Sequence, residues 1–232
     1  YLDTLGSTLR RLEAPVLGVL GNHDYWSGAD EVTQALERAG VSVLKNANTT
    51  ITVRGQRLQV VGLDDAYTGH ADRRRALRGL RPDLPTIGLS HIAEEADALW
   101  EAGVPLVLAG HTHAGQVTVA RLHELAMGRF VGHRYVHGLY GTRNGGPGGA
   151  VYVGAGIGAA MMPLRLGDRG RREVTIFELG ADVPAFTEHH QEQSALEGRK
   201  PSPALVAKRK AAVNAKMWKR ETAAVRRLLK ER

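Results

Sequence analysis

The sequence predicts an α/β fold, and three observations carry that expectation. Hydrophobic residues make up 43% of the 232, yet they fall in short runs separated by Gly, Pro and Asp, the pattern of a soluble globular domain. Segments with helical periodicity stand between runs of Val, Ile and Leu. Several of those short runs end on a histidine. No stretch of about eighteen apolar residues is present, so no segment is long enough to cross a bilayer as a helix.

Leu2, Leu5, Leu9 and Leu12 share one helical face, and Pro15 closes that segment. Val16 to Leu20 reads as a buried strand ending on Gly21-Asn22-His23-Asp24, and a helix is expected from Asp30 to Ala39, with Asp30 as its cap and Gly40 as its stop. Val41 to Leu44, Thr49 to Val53 and Leu58 to Gly62 suit a strand and then a hairpin. A polar helix from Asp72 to Leu80 leads through Pro82 and Pro85 to a strand, Thr86 to Ser90, that ends on His91. Glu94 to Ala102 is a short helix, and Val104 to Ala109 is a buried strand ending on Gly110-His111-Thr112-His113. Gln116 to Ala120, Ala150 to Val153 and Glu173 to Leu179 read as further strands, with a glycine-rich loop from Gly141 to Gly149. Gly154-Ala155-Gly156-Ile157-Gly158 is only loosely like a dinucleotide fingerprint, because no acidic residue follows at the required distance and Pro163 interrupts the helix it should open.

The net charge of +7 is unevenly spread. Residues 201–232 carry 10 of the 31 basic side chains and only 2 of the 24 acidic ones, which leaves the body near neutral. The expected division is a domain over 1–182, a linker over 183–202 and a basic amphipathic helical tail over 203–232, with Val206, Val213, Met217, Ala224 and Leu228 on its apolar stripe. That tail can pack on the body, stay solvated, or lie on an anionic membrane surface. Nucleic acid is the weaker partner, since Trp218 is the tail's one aromatic residue. Cysteine is absent, which excludes disulfides and thiolate metal sites. Tyr1 rather than Met opens the chain and no leader pattern follows it, so a truncated or processed chain is expected, cytoplasmic or peripheral to the membrane, with an upstream anchor left open.

In α/β folds, ligands bind beyond the carboxyl ends of the strands, where side chains from neighbouring loops converge. Asn22, His23, His91, His111 and His113 all occupy such positions. Imidazole with amide or carboxylate oxygen suits Mn, Fe, Zn or Ni, and a histidine cluster without cysteine points to an open catalytic site. Each piece alone has a plainer explanation: a hydrogen-bonded loop histidine for His91, or a turn and helix cap for Gly-Asn-His-Asp. Gly-His-Thr-His ends an apolar strand with two metal-capable groups and is harder to explain by packing. Asp64-Asp65 fits a turn or cap better than a site contact. His133 and His137, four apart, could share a metal on a helix but fit loop or packing roles better, and His70, His123, His189 and His190 have no partner pattern.

Gly21-Asn22-His23-Asp24, then Ser90-His91, then Gly110-His111-Thr112-His113 with Gly115-Gln116, resemble the later signature blocks of the calcineurin-like metallophosphoesterases. The similarity extends through Arg134-Tyr135, Gly138-Leu139-Tyr140, Tyr152-Val153, Gly156-Ile157-Gly158, Pro163-Leu164-Arg165 and Glu173, and is closest to a bacterial, often membrane-associated subgroup. The resemblance implies a four-layer α/β/β/α sandwich and hydrolysis of a phosphomonoester, phosphodiester or pyrophosphate bond, on a small or lipid-linked substrate, by a metal-activated hydroxide. Asn22, His91 and His111 would bind one divalent ion and His113 a second. His23 would contact the phosphate and protonate the leaving alkoxide, with Asp24 orienting its imidazole.

The family's opening Asp-x-His and Gly-Asp-x-x-Asp blocks do not precede Gly21, and Ala114 stands where glycine is common. The expectation is therefore one ion or partial occupancy and impaired activity. The rival is a binding or regulatory remnant with a partial metal site.

Overall fold

The computed structural model describes residues 2–115, 132–141, 148–158, 165, 167, 171–180, 193, 195 and 202–215. α1 (Leu2–Leu9) precedes a small parallel ladder in which β1 (Val16–Gly18) pairs with β2 (Val41–Val43), Val16 opposite Val41. Between those strands run two helices where one was expected, α2 (Asn22–Ser27) and α3 (Ala29–Arg38). Gly28, with φ of 112°, breaks the chain between them and caps α3 in place of Asp30, which lies in the first turn. Gly40, with φ of 86°, follows α3 as its stop.

β3 (Ala47–Val53) and β4 (Gln56–Gly62) form the hairpin. Its two-residue turn, Arg54-Gly55, has φ of 50° and 78°, both positive as a primed turn requires. α4 (Arg73–Ala76) is shorter than the pattern suggested and starts at Asp72, whose Oδ1 accepts from the Arg75 N–H at 2.9 Å. β5 (Thr86–Ser90) has the expected bounds. The expected Glu94–Ala102 helix is a 3₁₀ turn, Ala93–Glu95, running into α5 (Ala96–Glu101), and β6 is Leu106–Ala109.

β7 (Gly138–Gly141) pairs antiparallel with β8 (Ala150–Val153), so the expected glycine-rich loop begins as a strand. The strand expected over Gln116 to Ala120 lies outside the described residues. Glu173 to Leu179 is not a strand: no ladder partner faces it among the described residues, and Val174 and Ile176 are exposed. Glu173 is instead tied down by its carboxylate, which accepts from His137 and Tyr152.

The main sheet has the order β3-β4-β5-β6-β8-β7. β4, β5, β6 and β8 run parallel, and the antiparallel β3 and β7 close its edges. The carboxyl ends of the parallel strands therefore share one rim of the sheet. Under it lies a core of Val61, Leu63, Leu99, Trp100, Val107 and Val151, with the Trp100 indole donating to the Ala150 carbonyl at 3.2 Å. A second apolar cluster joins Leu20, Tyr25, Ala29 and Val32 to Val213. Val213 belongs to a helix over 203–215, here α6, so this stretch of the expected tail lies on the body. Within the expected linker, Gln193 is held on β7, its backbone N–H donating to the Leu139 carbonyl at 2.8 Å. Met217, Ala224 and Leu228 lie outside the described residues.

Arg54 occupies a left-handed position that asparagine tolerates better. Arg54→Asn should stabilise the protein by up to about 1 kcal/mol, read as a higher urea midpoint with unchanged slope.

Candidate metal centre

One helix start and two loops bring the site together. The first opens α2: Gly21 is its cap in extended conformation, and buried Asn22 is the first helical residue. Gly21-Asn22-His23-Asp24 is thus a helix start rather than a loop. Placing the signature in a first turn fixes Asn22 while leaving His23 exposed. The second segment follows β5 and carries His91. The third follows β6 and carries His111 and His113. The Gly110 N–H donates to the His91 carbonyl at 3.4 Å, which joins the latter two.

His91 Nε2 lies 2.8 Å from Asn22 Oδ1 and 3.0 Å from His111 Nδ1. His91 Nε2 therefore stands at hydrogen-bond distance from a metal-capable atom of each of the other two segments. This close fit depends on Gly21, because a Cβ there would sit 2.7 Å from the His91 ring. The third segment is held in unusual backbone: His111, His113 and Ala114 have φ of 72°, 50° and 53°. Non-glycine residues in this region cost roughly 1–2 kcal/mol each, and such strain concentrates at functional sites.

Burial and the neighbouring histidines keep these rings neutral. Desolvation, then the charges of His113, His23 and His133, push the His91 pKa down to about 4. Desolvation and then the charge of His91 push His111 down to about 2. His113 is lowered by burial and then by Arg165, whose Nη2 stands 3.2 Å from His113 Nδ1. Neutral imidazole is the form that binds a metal.

The remaining candidates are arranged differently from the expectation. Asp24 does not hydrogen-bond to His23 among the described residues. Its Oδ2 accepts from the Gly21 N–H at 2.8 Å, as adjacent positions on a helix point apart and the third helical residue can reach back to the cap. Burial raises the Asp24 pKa, against the lowering effects of that bond and of the His23 charge. The His23 ring packs edge-on to Trp26 at 4.7 Å. Asp64 and Asp65 are buried and structural: Asp64 Oδ2 accepts from Tyr25 Oη at 2.7 Å, and Asp65 Oδ2 accepts from the Thr68 N–H at 2.8 Å.

Sequence reasoning missed His133. Its ring stands 5.0 Å from that of His111, and its Nδ1 is 3.3 Å from Glu94 Oε1. Burial raises the Glu94 pKa, but His133 and the Arg134 N–H together outweigh it and the carboxyl is net lowered. His137, four residues on, turns to Glu173 at 2.7 Å, so the two histidines share no site. The available signal was Glu94, three residues after His91 and unassigned to any cap.

No family model matches the chain. Among curated proteins it is 31% identical to the uncharacterized metallophosphoesterase YkuE of Bacillus subtilis over 175 residues, which is 74% of this chain and 59% of that protein. It is 31% identical to the phosphodiesterase YaeI of Escherichia coli, over 72% of this chain and 58% of that one. It is 33% identical to a transmembrane protein with metallophosphoesterase domain of Bos taurus, over 72% of this chain and 41% of that one.

The chain belongs to the calcineurin-like metallophosphoesterase family. It spans a little under three-fifths of the length of the first two of these metallophosphoesterase relatives. The family is one of hydrolases and implies divalent metal ions, and the geometry can be tested against that. Among the described residues no three His, Asp or Glu side chains form a metal-binding group. The trio here has two imidazoles and, as its third member, the amide of Asn22. Donors around a tetrahedral ion with bonds near 2.0–2.1 Å lie about 3.3 Å apart. The 2.8 Å and 3.0 Å separations need only a small opening, so Asn22, His91 and His111 fit one ion. His113 is less suited to a second, because a guanidinium adjoins its Nδ1.

Gly21→Ala should weaken metal binding by about ten- to a hundredfold, the usual cost of disturbing a ligand's support, with circular dichroism unchanged. A second prediction concerns pH. His91 and His111 have folded pKa values below the unfolded value of 6.5, so the unfolded chain binds more protons as the solution acidifies. Their contribution is complete above about pH 6.5 and is lost as pH falls toward about 4. Urea midpoints of the metal-free protein should therefore drop over that window, and His91→Gln should reduce the drop.

Proposed function

We propose that this chain carries the metal-holding and leaving-group half of a phosphoester hydrolase. The observation that supports this most is the meeting of Asn22, His91 and His111 donor atoms at 2.8 and 3.0 Å, with exposed His23 on the adjoining helix turn. A divalent ion, Mn, Fe, Zn or Ni, would supply Lewis acidity toward water and the phosphoryl oxygens. Asn22, His91 and His111 would hold that ion, and the lowered pKa values of the two imidazoles keep them competent in mildly acidic solution. His23, one residue from Asn22 and open to solvent, meets the phosphate and delivers a proton to the departing alkoxide oxygen. Asp24 acts through the backbone, fixing the turn that presents both residues.

The substrate class is a phosphomonoester, phosphodiester or pyrophosphate, on a small molecule or a lipid headgroup. The four-layer sandwich and a location peripheral to the membrane belong to the same proposal. No described helix is long and apolar enough to cross a membrane. A second reading is favoured by one observation, the placing of Arg165 against His113. On that reading the chain holds one ion and binds phosphoesters without turning them over.

Equilibrium dialysis with Mn or Zn should give one ion per chain, lost on His111→Ala. A chromogenic phosphodiester should be cleaved slowly, with chelator abolishing the activity and His23→Ala lowering it by about a hundredfold or more. Cleavage that survives chelation would sink the hydrolase proposal. One bound ion with no cleavage would give the lead to the binding reading.

A further inference from the structure

The loop after β4 carries Tyr67 to the edge of the histidine cluster. Its backbone is pinned by buried Asp65, which accepts from the N–H groups of Tyr67 at 3.3 Å and Thr68 at 2.8 Å. The Tyr67 ring stands 5.1 Å from His111 and 6.1 Å from Trp26, which itself packs on His23. Tyr67 therefore bridges the metal-holding and leaving-group sides of the site.

The guanidinium of Arg209 lies over the Tyr67 ring, with Cζ 3.7 Å from the centroid. Arg209 comes from α6, more than a hundred residues later in the chain. Its helix is firmly seated. Val213 is 1% exposed in the second apolar cluster, and Lys210 Nζ donates to the Gly69 carbonyl at 3.4 Å. Val206 also lies so close to Gly69 that a Cβ there would meet it at 2.9 Å. The docked face thus runs from the Tyr67 loop to α2 and α3.

Arg209 is half-buried, and among the described residues no carboxylate or carbonyl pairs with its guanidinium. A cation–π contact holds such a group in place but leaves its in-plane N–H donors free. A partly desolvated cation without an anion is unfavourable by itself, and the fork geometry of arginine matches a phosphate oxyanion. Its charge also reaches the metal-holding cluster, where it is among the influences that depress His111.

We propose that Arg209 is a substrate-recognition residue whose guanidinium, seated on Tyr67 beside His111, binds a phosphate-type oxyanion of the substrate, so that α6 forms one wall of the site. This rests on the phosphoester proposal above and adds a residue from the basic tail to it. The oxyanion is either the scissile phosphate or a second phosphate on the leaving group, and both present the same chemistry to the fork.

The test uses the whole chain loaded with Mn, titrated calorimetrically with inorganic phosphate and with pyrophosphate. Arg209→Gln should weaken binding by about ten- to a hundredfold, the usual range for a charge-assisted contact. Loss for both ligands assigns Arg209 to the scissile phosphate; loss for pyrophosphate alone assigns it to the leaving group. Metal uptake and the hydrogen-exchange protection of α6 should be unchanged, and Arg209→Lys should recover part of the affinity. Equal binding by wild type and Arg209→Gln overturns the inference while leaving the phosphoester proposal standing. Loss of α6 protection in Arg209→Gln shows a merely structural role and overturns it too. A wild-type chain that takes up metal but binds neither anion removes the phosphoester proposal, and the inference with it.

Discussion

The contact on which the rest of this molecule depends is that of the His91 imidazole against the bare backbone of Gly21. His91 follows β5 in the six-stranded sheet, whereas Gly21 and Asn22 follow β1 in the two-stranded ladder. Because Gly21 has no side chain, the ring can lie where a Cβ would otherwise sit and bring its Nε2 to the Asn22 amide. The two sheets are thus joined at the functional centre by a ring and an absent methyl group. Movement of the ladder relative to the sheet would be felt first as a change in donor spacing. The affinity of an ion held there would be a sensitive report on tertiary packing.

Electrostatics reinforce the same geometry. Burial disfavours protonation of His91, His111 and His113, and the charges of their neighbours, including those of other imidazoles, act in the same direction. Protonating the cluster would place like charges in a poorly solvated space, so neutral rings with available lone pairs are the stable form. Glu94 lies beyond His133 and stays ionised through that partner and the Arg134 N–H. A carboxylate behind a histidine that packs on His111 is the sort of outer support that would hold a metal ligand in orientation. Arg165 at His113 works the other way, as a positive group where a second cation would be expected.

The parts of this arrangement legible in the sequence were those encoded locally. β5 and β8 have the bounds their apolar runs implied, and the histidines at the ends of β5 and β6 converge because parallel neighbours end on the same rim. What depended on a distant partner was not legible. Glu173 to Leu179 alternates like a strand, yet hydrogen bonds to the Glu173 carboxylate hold it without a described ladder. Asp24 looked like the orienting partner of His23 because they are adjacent, but a helix turn sends neighbouring side chains apart and gave Asp24 to the cap. His133 joined the cluster through a segment about twenty residues beyond His113, a return that only Glu94, far from it in sequence, hinted at. The tail's charge left three readings open, and a distant contact favours one of them over 203–215: Val213 closes a cluster with Leu20, Tyr25, Ala29 and Val32.

The loop from Gly110 to Gly115 shows what the fold spends on this site. Three of its non-glycine residues have positive φ, and one of them, Ala114, is fully buried where no side-chain hydrogen bond can compensate. Glycine at 114 would relieve the left-handed strain but would forfeit buried methyl contact and loosen the unfolded chain, effects of comparable size near 1 kcal/mol. Alanine is therefore a near-neutral choice at that position. For His111 no such balance exists, since glycine there would remove the ring that meets His91. The conformation is imposed from outside: Thr112 Oγ1 donates to the Val136 carbonyl, the Gly115 N–H donates to the Thr112 carbonyl at 2.8 Å, and the Gly154 N–H donates to Ala109 at 2.9 Å. Those bonds tie the loop to the segment before β7 and to the end of β8. The sheet's far edge, remote in sequence from every expected ligand, is thereby what holds His111 within reach of His91.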